Sequence, residues 1–291
     1  MDQKLRVMVI GAHPDDCDIE CGGLALKYLE AGHTVKFVSM CDGSGGHQSL
    51  TPQQTAARRK KETQAVELYA GLEYEVWDIV DCELMADLET RKRLVRTIRA
   101  FNPDMIFTCR TNDYHADHRN CGMLVQDASY LLIVPHFCPD VPAMKEMPVI
   151  MHYYDRFQNP PFAPDIVIST DDVYGRKVEM LSCHVSQFFE WLPYTHGMLD
   201  QVPQDSETRL QWLREPKLPE DQPQDDYILS IRYNTPSCEI RNAIPAAKYR
   251  HKLIERYGEQ VGRNVRFCEA LALCEYGRAL RKEDLSVFFP F

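Results

Sequence analysis

The feature that most constrains the fold is a short apolar run that leads directly into a cluster of metal-ligating side chains. Residues 5–10 read Leu-Arg-Val-Met-Val-Ile, and residues 11–18 follow as Gly-Ala-His-Pro-Asp-Asp-Cys-Asp. An apolar run bounded by such a turn predicts a buried strand. The turn therefore places His13, Asp15 and Asp16 at the carboxyl end of a strand, where open α/β sheets form their binding sites.

A strand, a tight turn and a helix also begin a dinucleotide-binding fold. That fold needs Gly-x-Gly-x-x-Gly, so that backbone N–H groups can approach a pyrophosphate. Here four acidic residues lie between positions 15 and 20, ahead of Gly22, and their carboxylates would repel a phosphate. An alternative is that one Asp caps the helix predicted over residues 22–31. Capping accounts for one carboxylate, but not for a histidine and four acids.

A second cluster lies about a hundred residues further on, again after an apolar run. Residues 105–108 read Met-Ile-Phe-Thr, and residues 112–119 read Asn-Asp-Tyr-His-Ala-Asp-His-Arg. The turn formers that begin this motif favour a loop as the setting of His115, Asp117 and His118. Alone, the motif is equally compatible with a polar loop. Two strand ends that each carry His and Asp, however, supply a His₂Asp metal site beside a catalytic carboxylate.

Together these motifs resemble those of the PIG-L/LmbE-like family of metal-dependent N-acetylglucosamine deacetylases. The first motif is Gly11–Asp16 and the second is Tyr114–His118. Three further segments resemble the family, namely Arg-Lys-Lys-Glu at 59–62, Cys-His-Val-Ser-Gln at 183–187 and Gly-Arg-Asn-Val-Arg-Phe-Cys-Glu-Ala at 262–270. The resemblance implies an α/β fold, with a Rossmann-like, mostly parallel sheet flanked by helices and a less regular C-terminal half.

The resemblance also implies a metal centre. Carried over residue by residue, it makes His13, Asp16 and His118 the ligands of one divalent metal, with zinc expected and iron(II) as an alternative. The chain departs from the family at Cys17, where the family usually has Glu. A thiol cannot replace the charge of an acid, so Cys17 is either a small buried hydrophobe or an additional soft ligand.

Four more side chains match functional positions of the family. Asp15 matches the general base that acts on a metal-activated water. His115 matches the residue that steadies the oxyanion or protonates the leaving amine, and Asp117 matches the acid that orients it. Arg59 matches an arginine that faces the substrate.

The implied reaction removes an N-acetyl group from an N-acetylglucosamine-type amino sugar or conjugate. Two alternatives stay open. One is an amidase of the same fold that cuts a larger acyl group or a thiol-sugar conjugate. The other is an inactive relative that binds a sugar or a metal. A homo-oligomer is compatible with the sequence.

Composition bounds the partners and the compartment. The net charge of −10 argues against a nucleic-acid partner, because phosphate binding needs clustered Lys and Arg. The acid-rich turn likewise argues against strongly anionic substrates. The sequence shows neither a secretory signal nor the run of about 20 apolar residues that a membrane span needs. Eleven scattered cysteines favour reduced thiols and a cytoplasmic location over a disulfide framework.

Apolar runs alternate with helical patterns in the first half of the chain, which predicts βαβ units and a parallel sheet. Strands are predicted at 5–10, 34–40, 73–79 and 104–108, and helices at 22–31, 52–70, 87–101 and 119–133. We expect a single domain over residues 1–291, with a Rossmann-like core over 1–135 that holds the metal site and a C-terminal extension over 136–291.

The C-terminal extension is predicted to contain strands at 149–154 and 165–169, followed by a helix that ends near residue 188. Residues 201–226, rich in Pro, Gln and acids, read as a surface excursion that is either a flap over the site or an oligomer contact. In the core, the glycine-rich loop 41–47 either lets a substrate approach closely or is simply flexible. We expect its last residue, His47, to lie in solvent.

Overall fold

The computed structural model describes residues 4–218, 225–231 and 237–291. Within these ranges seven strands form one mixed sheet: β1 (Arg6–Gly11), β2 (Thr34–Cys41), β3 (Glu73–Ile79), β4 (Met105–Thr108), β5 (Val149–Tyr153), β6 (Ile166–Ser169) and β7 (Cys268–Leu273). Their order is β3-β2-β1-β4-β5-β7-β6. The first five strands pair in parallel, whereas β7 pairs antiparallel with both β5 and β6.

Helices flank this sheet. Those of the first half are α1 (Asp16–Glu30), α2 (Pro52–Ala70), α3 (Leu88–Phe101) and α4 (Ala116–Leu131). Those of the second half are α5 (Tyr174–Ser182), α6 (Leu192–Thr195), α7 (Ser206–Arg214), α8 (Asp225–Ser230), α9 (Cys238–Lys248), α10 (Arg250–Tyr257), α11 (Glu259–Gly262) and α12 (Leu285–Phe288), with a π-helical turn at Gln187–Trp191. The predicted α/β class, a mostly parallel sheet flanked by helices, is confirmed.

Helix α2 has the bounds that its local sequence predicts. The side chain of Thr51 accepts a hydrogen bond from the backbone N–H of Gln54, and Oε1 of Gln54 accepts one from the backbone N–H of Thr51. Pro52 occupies the first helical position, where its missing N–H costs nothing. At the other end Gly71 adopts the left-handed conformation with φ 76°, which ends the helix.

Two helices begin earlier than predicted. Helix α1 starts at Asp16 rather than near residue 22, and α4 starts at Ala116 rather than at residue 119. The second motif therefore runs from a loop into a helix, and its expected loop setting holds for residues 112–115 but is wrong for Asp117 and His118. His115 is the N-cap residue, and its Nδ1 accepts a hydrogen bond from the backbone N–H of Asp117 at 3.2 Å. Acidic residues in a first turn suit the positive end of a helix dipole.

Cys17 lies in the core beneath the first turn of α1. It is fully buried, and its Sγ lies 3.4 Å from the carbonyl oxygen of Val9 and 3.6 Å from that of Val38. These neighbours are backbone atoms of two strands, as expected for a small residue that packs a helix onto a sheet. All eleven cysteines of the chain fall within the described residues, and all are free thiols.

The second half differs from its prediction in detail. Helix α5 ends at Ser182, so His184 lies in the connection to the π-helical turn. The segment 201–226 contains α7 and the first residues of α8, while 219–224 lie outside the described residues. The strand β7 was not predicted. Searched over the described residues, the structure has no helix with the length and apolarity to cross a membrane.

Candidate metal centre and active site

The candidate site lies where the strand order of the sheet changes direction. From β1 the chain continues to β2 on one side, whereas β4 and β5 lie on the other side. In open α/β sheets, ligands bind at the carboxyl ends of the strands at such a switch point. His13 follows β1 and His118 follows β4, so the fold brings the two sequence motifs to the same place.

Three predicted ligand atoms converge at this point. His13 Nδ1 lies 3.2 Å from His118 Nε2, and Asp16 Oδ2 lies 3.6 Å from the former and 3.4 Å from the latter. Ligand atoms around a tetrahedral metal with bonds of about 2.0–2.1 Å lie about 3.3 Å apart. The His₂Asp donor set therefore fits one divalent metal with little movement.

The charges at this point favour a cation. Burial opposes ionisation of Asp16, yet His118 and His13 hold its pKa well below the usual value. Burial also opposes protonation of His118, but the carboxylates of Asp16 and Asp113 raise its pKa to about 9. The carboxylates thus stabilise positive charge between the imidazoles, as a divalent cation requires.

Further carboxylates orient the two imidazoles. Asp113 Oδ1 lies 3.1 Å from His118 Nδ1, while Asp81 Oδ1 and Asp117 Oδ2 lie 3.0 and 3.2 Å from His13 Nε2. Carboxylates in this position fix the tautomer and orientation of a metal-binding histidine. Asp81 was missed in the sequence, although it follows β3 in the same way that His13 follows β1.

Asp15 lies beside the ligand set, and together with His13, Asp16 and His118 it lines a cavity. Its side chain is buried, and its backbone has φ 135°, a region that residues other than glycine rarely adopt. Burial raises the pKa of Asp15 to about 6, although the Arg59 guanidinium opposes the shift. A carboxylate with a pKa close to neutrality suits a general base. The role of Asp15 stays a prediction.

The carboxylate of Asp117 does not lie where its expected role, the orientation of His115, requires. Its Oδ2 accepts a hydrogen bond from the backbone N–H of Cys82 at 2.7 Å, and its Oδ1 accepts from that of Leu84 at 3.2 Å. The carboxylate thus faces the end of β3 and His13. Its contact with His115 runs through its own backbone N–H, because both residues belong to the start of α4.

His115 lines the cavity and is half-buried. Burial and the neighbouring imidazoles of His13 and His118 lower its pKa. Since Nδ1 accepts the backbone bond, Nε2 is the nitrogen that carries the ring proton in the neutral form. His115 can therefore donate a hydrogen bond from Nε2.

Arg59 is buried at 3% exposure and also lines the cavity. Its Nη2 donates to the carbonyl oxygen of Gly46 at 3.2 Å and to Oε1 of Gln187. A Cβ atom added at Gly43, where φ is 67°, would lie 2.7 Å from Arg59 Cδ. The glycines of the loop thus allow it to pack directly on the arginine.

The expectation for His47 is wrong. Its side chain is 3% exposed, and Nε2 lies 2.7 Å from Glu190 Oε2. Arg58 contacts the same carboxylate, with Nη1 at 2.7 Å from Oε2. This pairing connects the glycine-rich loop to the π-helical turn, two segments that are 143 residues apart.

The cavity above the ligand set has a volume of about 530 Å³. Its wall combines acidic groups of the metal centre with aromatic and basic side chains. These are Tyr114, Tyr153, Tyr154, Phe157, Trp191, Arg59, Arg110, Arg156 and Arg241. A substrate therefore meets basic as well as acidic side chains, and the acid-rich turn alone did not indicate the basic ones.

The fold and the site define an α/β protein with a candidate metal centre at the switch point of its sheet. The PIG-L family, described as GlcNAc-PI de-N-acetylase, matches residues 8–129, which contain both motifs. This match covers fewer than half of the 291 residues and supports the similarity to the PIG-L/LmbE-like deacetylases that the motifs predicted.

Two curated relatives illustrate the range of activities. Diacetylchitobiose deacetylase from Thermococcus kodakarensis is 28% identical over 204 residues, which are 65% of this chain and 74% of that protein. The 4-oxalmesaconate hydratase from Pseudomonas putida is 23% identical over 202 residues, which are 67% of this chain and 78% of that protein.

Solved structures confirm the fold. N,N′-diacetylchitobiose deacetylase from Pyrococcus horikoshii superimposes with a TM-score of 0.63 at 23% identity, over 93% of this chain and 84% of its own. The 4-carboxy-2-hydroxymuconate hydratase from Pseudomonas putida also gives 0.63, at 19% identity, over 96% of this chain and 99% of its own. At these identities the similarity establishes the architecture, and the activity needs a separate basis.

Proposed function

We propose that this protein is a metal-dependent hydrolase that removes an N-acetyl group from an N-acetylglucosamine-type amino sugar or conjugate. The observation that carries the proposal is the convergence of His13, Asp16 and His118 within 3.2–3.6 Å, with Asp15 and His115 on the same cavity. A pure binding site has no need of an additional base and proton donor. The deacetylase relatives support the same chemistry.

The donor set suits zinc, and iron(II) is compatible with it. When bound by His13, Asp16 and His118, the metal would supply an acidified water and polarise the amide carbonyl. Asp15 would accept the proton of the attacking water. His115 Nε2 would donate to the oxygen on which negative charge develops, and in its protonated form to the departing nitrogen. The water adds to the carbonyl carbon, the C–N bond breaks, and the products are acetate and an amine.

The rim of the cavity supports a sugar as substrate. Tyr114 is 69% exposed although it is aromatic, and its ring lies 6.4 Å from that of Phe157, centroid to centroid. Exposed aromatic rings beside a polar site provide flat apolar surface with polar groups at the edge. The C–H face of a pyranose can pack on such a surface while Arg59 and the acids meet its hydroxyl groups.

The test measures the release of primary amine from a panel of N-acetylglucosamine derivatives by zinc-loaded and iron-loaded protein. Wild type should release amine, and Asp15→Asn should be slower by about 10²- to 10⁴-fold, the usual contribution of general acid–base catalysis. Asp172→Asn, which changes an exposed carboxylate of an ion pair with Lys27, is the matched control and should retain activity. Equal rates for Asp15→Asn and wild type would rule out the base.

A second candidate function is the hydration of an unsaturated carboxylic acid. Two observations favour it: the relative 4-oxalmesaconate hydratase, and the four arginines that line the cavity. These are Arg59, Arg110, Arg156 and Arg241, of which Arg110 is paired with Asp155 through two contacts of 2.5 and 2.6 Å. Guanidinium groups bind carboxylates with paired hydrogen bonds.

One experiment separates the two candidates. The same metal-loaded protein is offered the acetylated sugars and, in parallel, 4-oxalmesaconate, whose conjugated absorbance disappears on hydration. Release of amine supports the hydrolase. Loss of absorbance without release of amine supports the hydratase. Neither reaction, with metal bound, points to an amidase of a larger acyl group or to an inactive relative.

A further inference from the structure

A second group of metal-ligating side chains lies on the other side of the His13 ring. Nδ1 of this ring faces Asp16 and His118, whereas Nε2 faces Asp81 Oδ1 at 3.0 Å and Asp117 Oδ2 at 3.2 Å. One ring N–H can donate well to only one of two carboxylates. Two acidic oxygens therefore converge beside one imidazole nitrogen, and Asp117 Oδ2 accepts a further hydrogen bond from the backbone N–H of Cys82.

His115 and Cys82 complete this group. His115 Nδ1 accepts the backbone N–H of Asp117, and His115 Nε2 lies 3.8 Å from the exposed Cys82 thiol. Cys82 Sγ is also 3.4 Å from Asp81 Oδ1. Ligand atoms of His13, Asp81, His115 and Asp117 all lie within 4.8 Å of one another. Neighbouring ligands of zinc lie about 3.3 Å apart, or about 3.6 Å where one is a thiolate.

We propose that Asp81, Cys82, His115 and Asp117 form a second site for a divalent cation, adjacent to the His13 Nε2 atom. A thiolate and an imidazole select zinc or cobalt(II) over magnesium or calcium, while the two carboxylates supply charge. The site is weaker than the first because the thiol must lose its proton on binding and because Asp117 already accepts backbone hydrogen bonds.

Occupation of the second site engages His115, which then no longer donates to a substrate. This consequence rests on the proposed hydrolase function, whereas binding of the cation does not. The site also gives Cys82 a chemical role that the resemblance to the family does not supply.

The test is a cobalt(II) titration of the chelator-treated protein, reduced with a phosphine so that no thiol reagent competes for the metal. We expect two equivalents to bind. A thiolate-to-cobalt charge-transfer band should grow with the second equivalent. Cys82→Ser should lose this band and weaken the second equivalent by about tenfold or more, while the first equivalent stays. Cys183→Ser, a substitution at the C-terminal cap of α5, should retain both.

His118→Ala provides the converse, because this variant removes a ligand of the first site only. It should weaken the first equivalent and keep the charge-transfer band. Binding of a single cobalt equivalent by wild type would overturn the proposal. A charge-transfer band that survives in Cys82→Ser would also overturn it, because the band would then come from another thiol, such as Cys109 on the cavity wall. Since the titration involves no substrate, a protein that binds two cobalt ions but is inactive with only the first equivalent bound would reject the hydrolase and leave the second site standing.

Discussion

The backbone N–H of Asp15 donates a hydrogen bond to the hydroxyl oxygen of Tyr74 over 3.2 Å. The same hydroxyl donates to Asp18 Oδ2 at 2.8 Å, and Asp18 Oδ1 lies 3.1 Å from His184 Nε2. All four residues are buried. A backbone with φ 135° persists only where its surroundings hold it. The buried chain from His184 to Tyr74 therefore positions the proposed base from beneath.

Replacement of Tyr74 by Phe should destabilise the protein without loss of the metal ligands. The variant leaves the N–H of Asp15 and a carboxylate oxygen of Asp18 buried without their partner, which costs about 1–3 kcal/mol. Urea unfolding measures the change. Tyr69→Phe is the matched control, since this tyrosine is 36% exposed and bonds to Glu179, and it should stay within about 0.5 kcal/mol of wild type. Equal losses in both variants would contradict the role of Tyr74.

The strained backbone at position 15 predicts an unusual order of stability. Asp15→Gly and Asp15→Ala both remove the carboxylate, but only Gly tolerates φ 135°. Relief of strain, about 1–3 kcal/mol, should exceed the cost of about 0.5–1 kcal/mol for a flexible residue. Asp15→Gly should therefore be the more stable in urea unfolding. At Gln53, an exposed position of α2, the Gly variant should instead be less stable than the Ala variant. If Asp15→Gly were also less stable than Asp15→Ala, backbone strain at position 15 would be excluded.

Mutations should distinguish the metal ligands from the proposed base, because only the loss of a ligand should weaken metal binding. Zinc at about 100 times its dissociation constant should raise the free energy of unfolding by about 2.7 kcal/mol in wild type and in Asp15→Asn. His118→Ala should show a much smaller rise, because it lacks one of three ligand atoms that lie within 3.6 Å. Thermal unfolding with and without zinc measures the effect. A full rise in His118→Ala would place the metal elsewhere.

Much of the site could be predicted because its residues lie at strand ends. The apolar runs before His13 and before the second motif identified β1 and β4, and parallel neighbours bring such ends together. Local chemistry likewise predicted α2, since Thr51 and Gly71 act within one turn of the helix. These features depend on residues close in sequence, where periodicity and capping are decisive.

The remaining features depend on contacts between distant residues. His47 is buried because Glu190 lies against it, and no pattern near either residue indicates the other. Glu269 belongs to the unpredicted strand β7, which reaches the sheet only through antiparallel pairing with β5 and β6. The early starts of α1 and α4 have a different cause. Asp16 and Asp18 were assigned to a turn and Asp117 to a loop, but all three lie in the first turns of α1 and α4, since acidic side chains suit both settings.

Glu20 predicts a pH dependence of stability. This half-buried residue lines the cavity, and burial raises its pKa from 4.5 to about 8, although Lys177 and Arg241 oppose the shift. The folded state therefore binds the proton more tightly than the unfolded state. Its contribution to stability is present at low pH and is lost as the pH rises from about 5 to about 8. Glu20→Gln should flatten this fall in the thermal midpoint. Parallel curves for the variant and wild type would contradict the shift.

The C-terminal motif contributes Glu269 to a buried ion pair outside the metal centre. Lys177 and Glu269 form an ion pair of 2.7 Å with exposures of 1% and 4%. Glu269 also accepts hydrogen bonds of 2.7 Å from the backbone N–H groups of Gly23 and Leu24, so it ties β7 to the helix that begins at the metal site.

Lys177→Met should leave the carboxylate of Glu269 buried without its cation, at a cost of about 3–5 kcal/mol. Urea unfolding measures this loss, and the double variant with Glu269→Gln should recover part of it because no buried charge remains. Arg176→Met is the matched control on the same helix, since Arg176 pairs with Glu30 at the surface, and such pairs contribute about 0–1 kcal/mol. If both single variants lost the same small amount, Glu269 would be held by its backbone contacts alone.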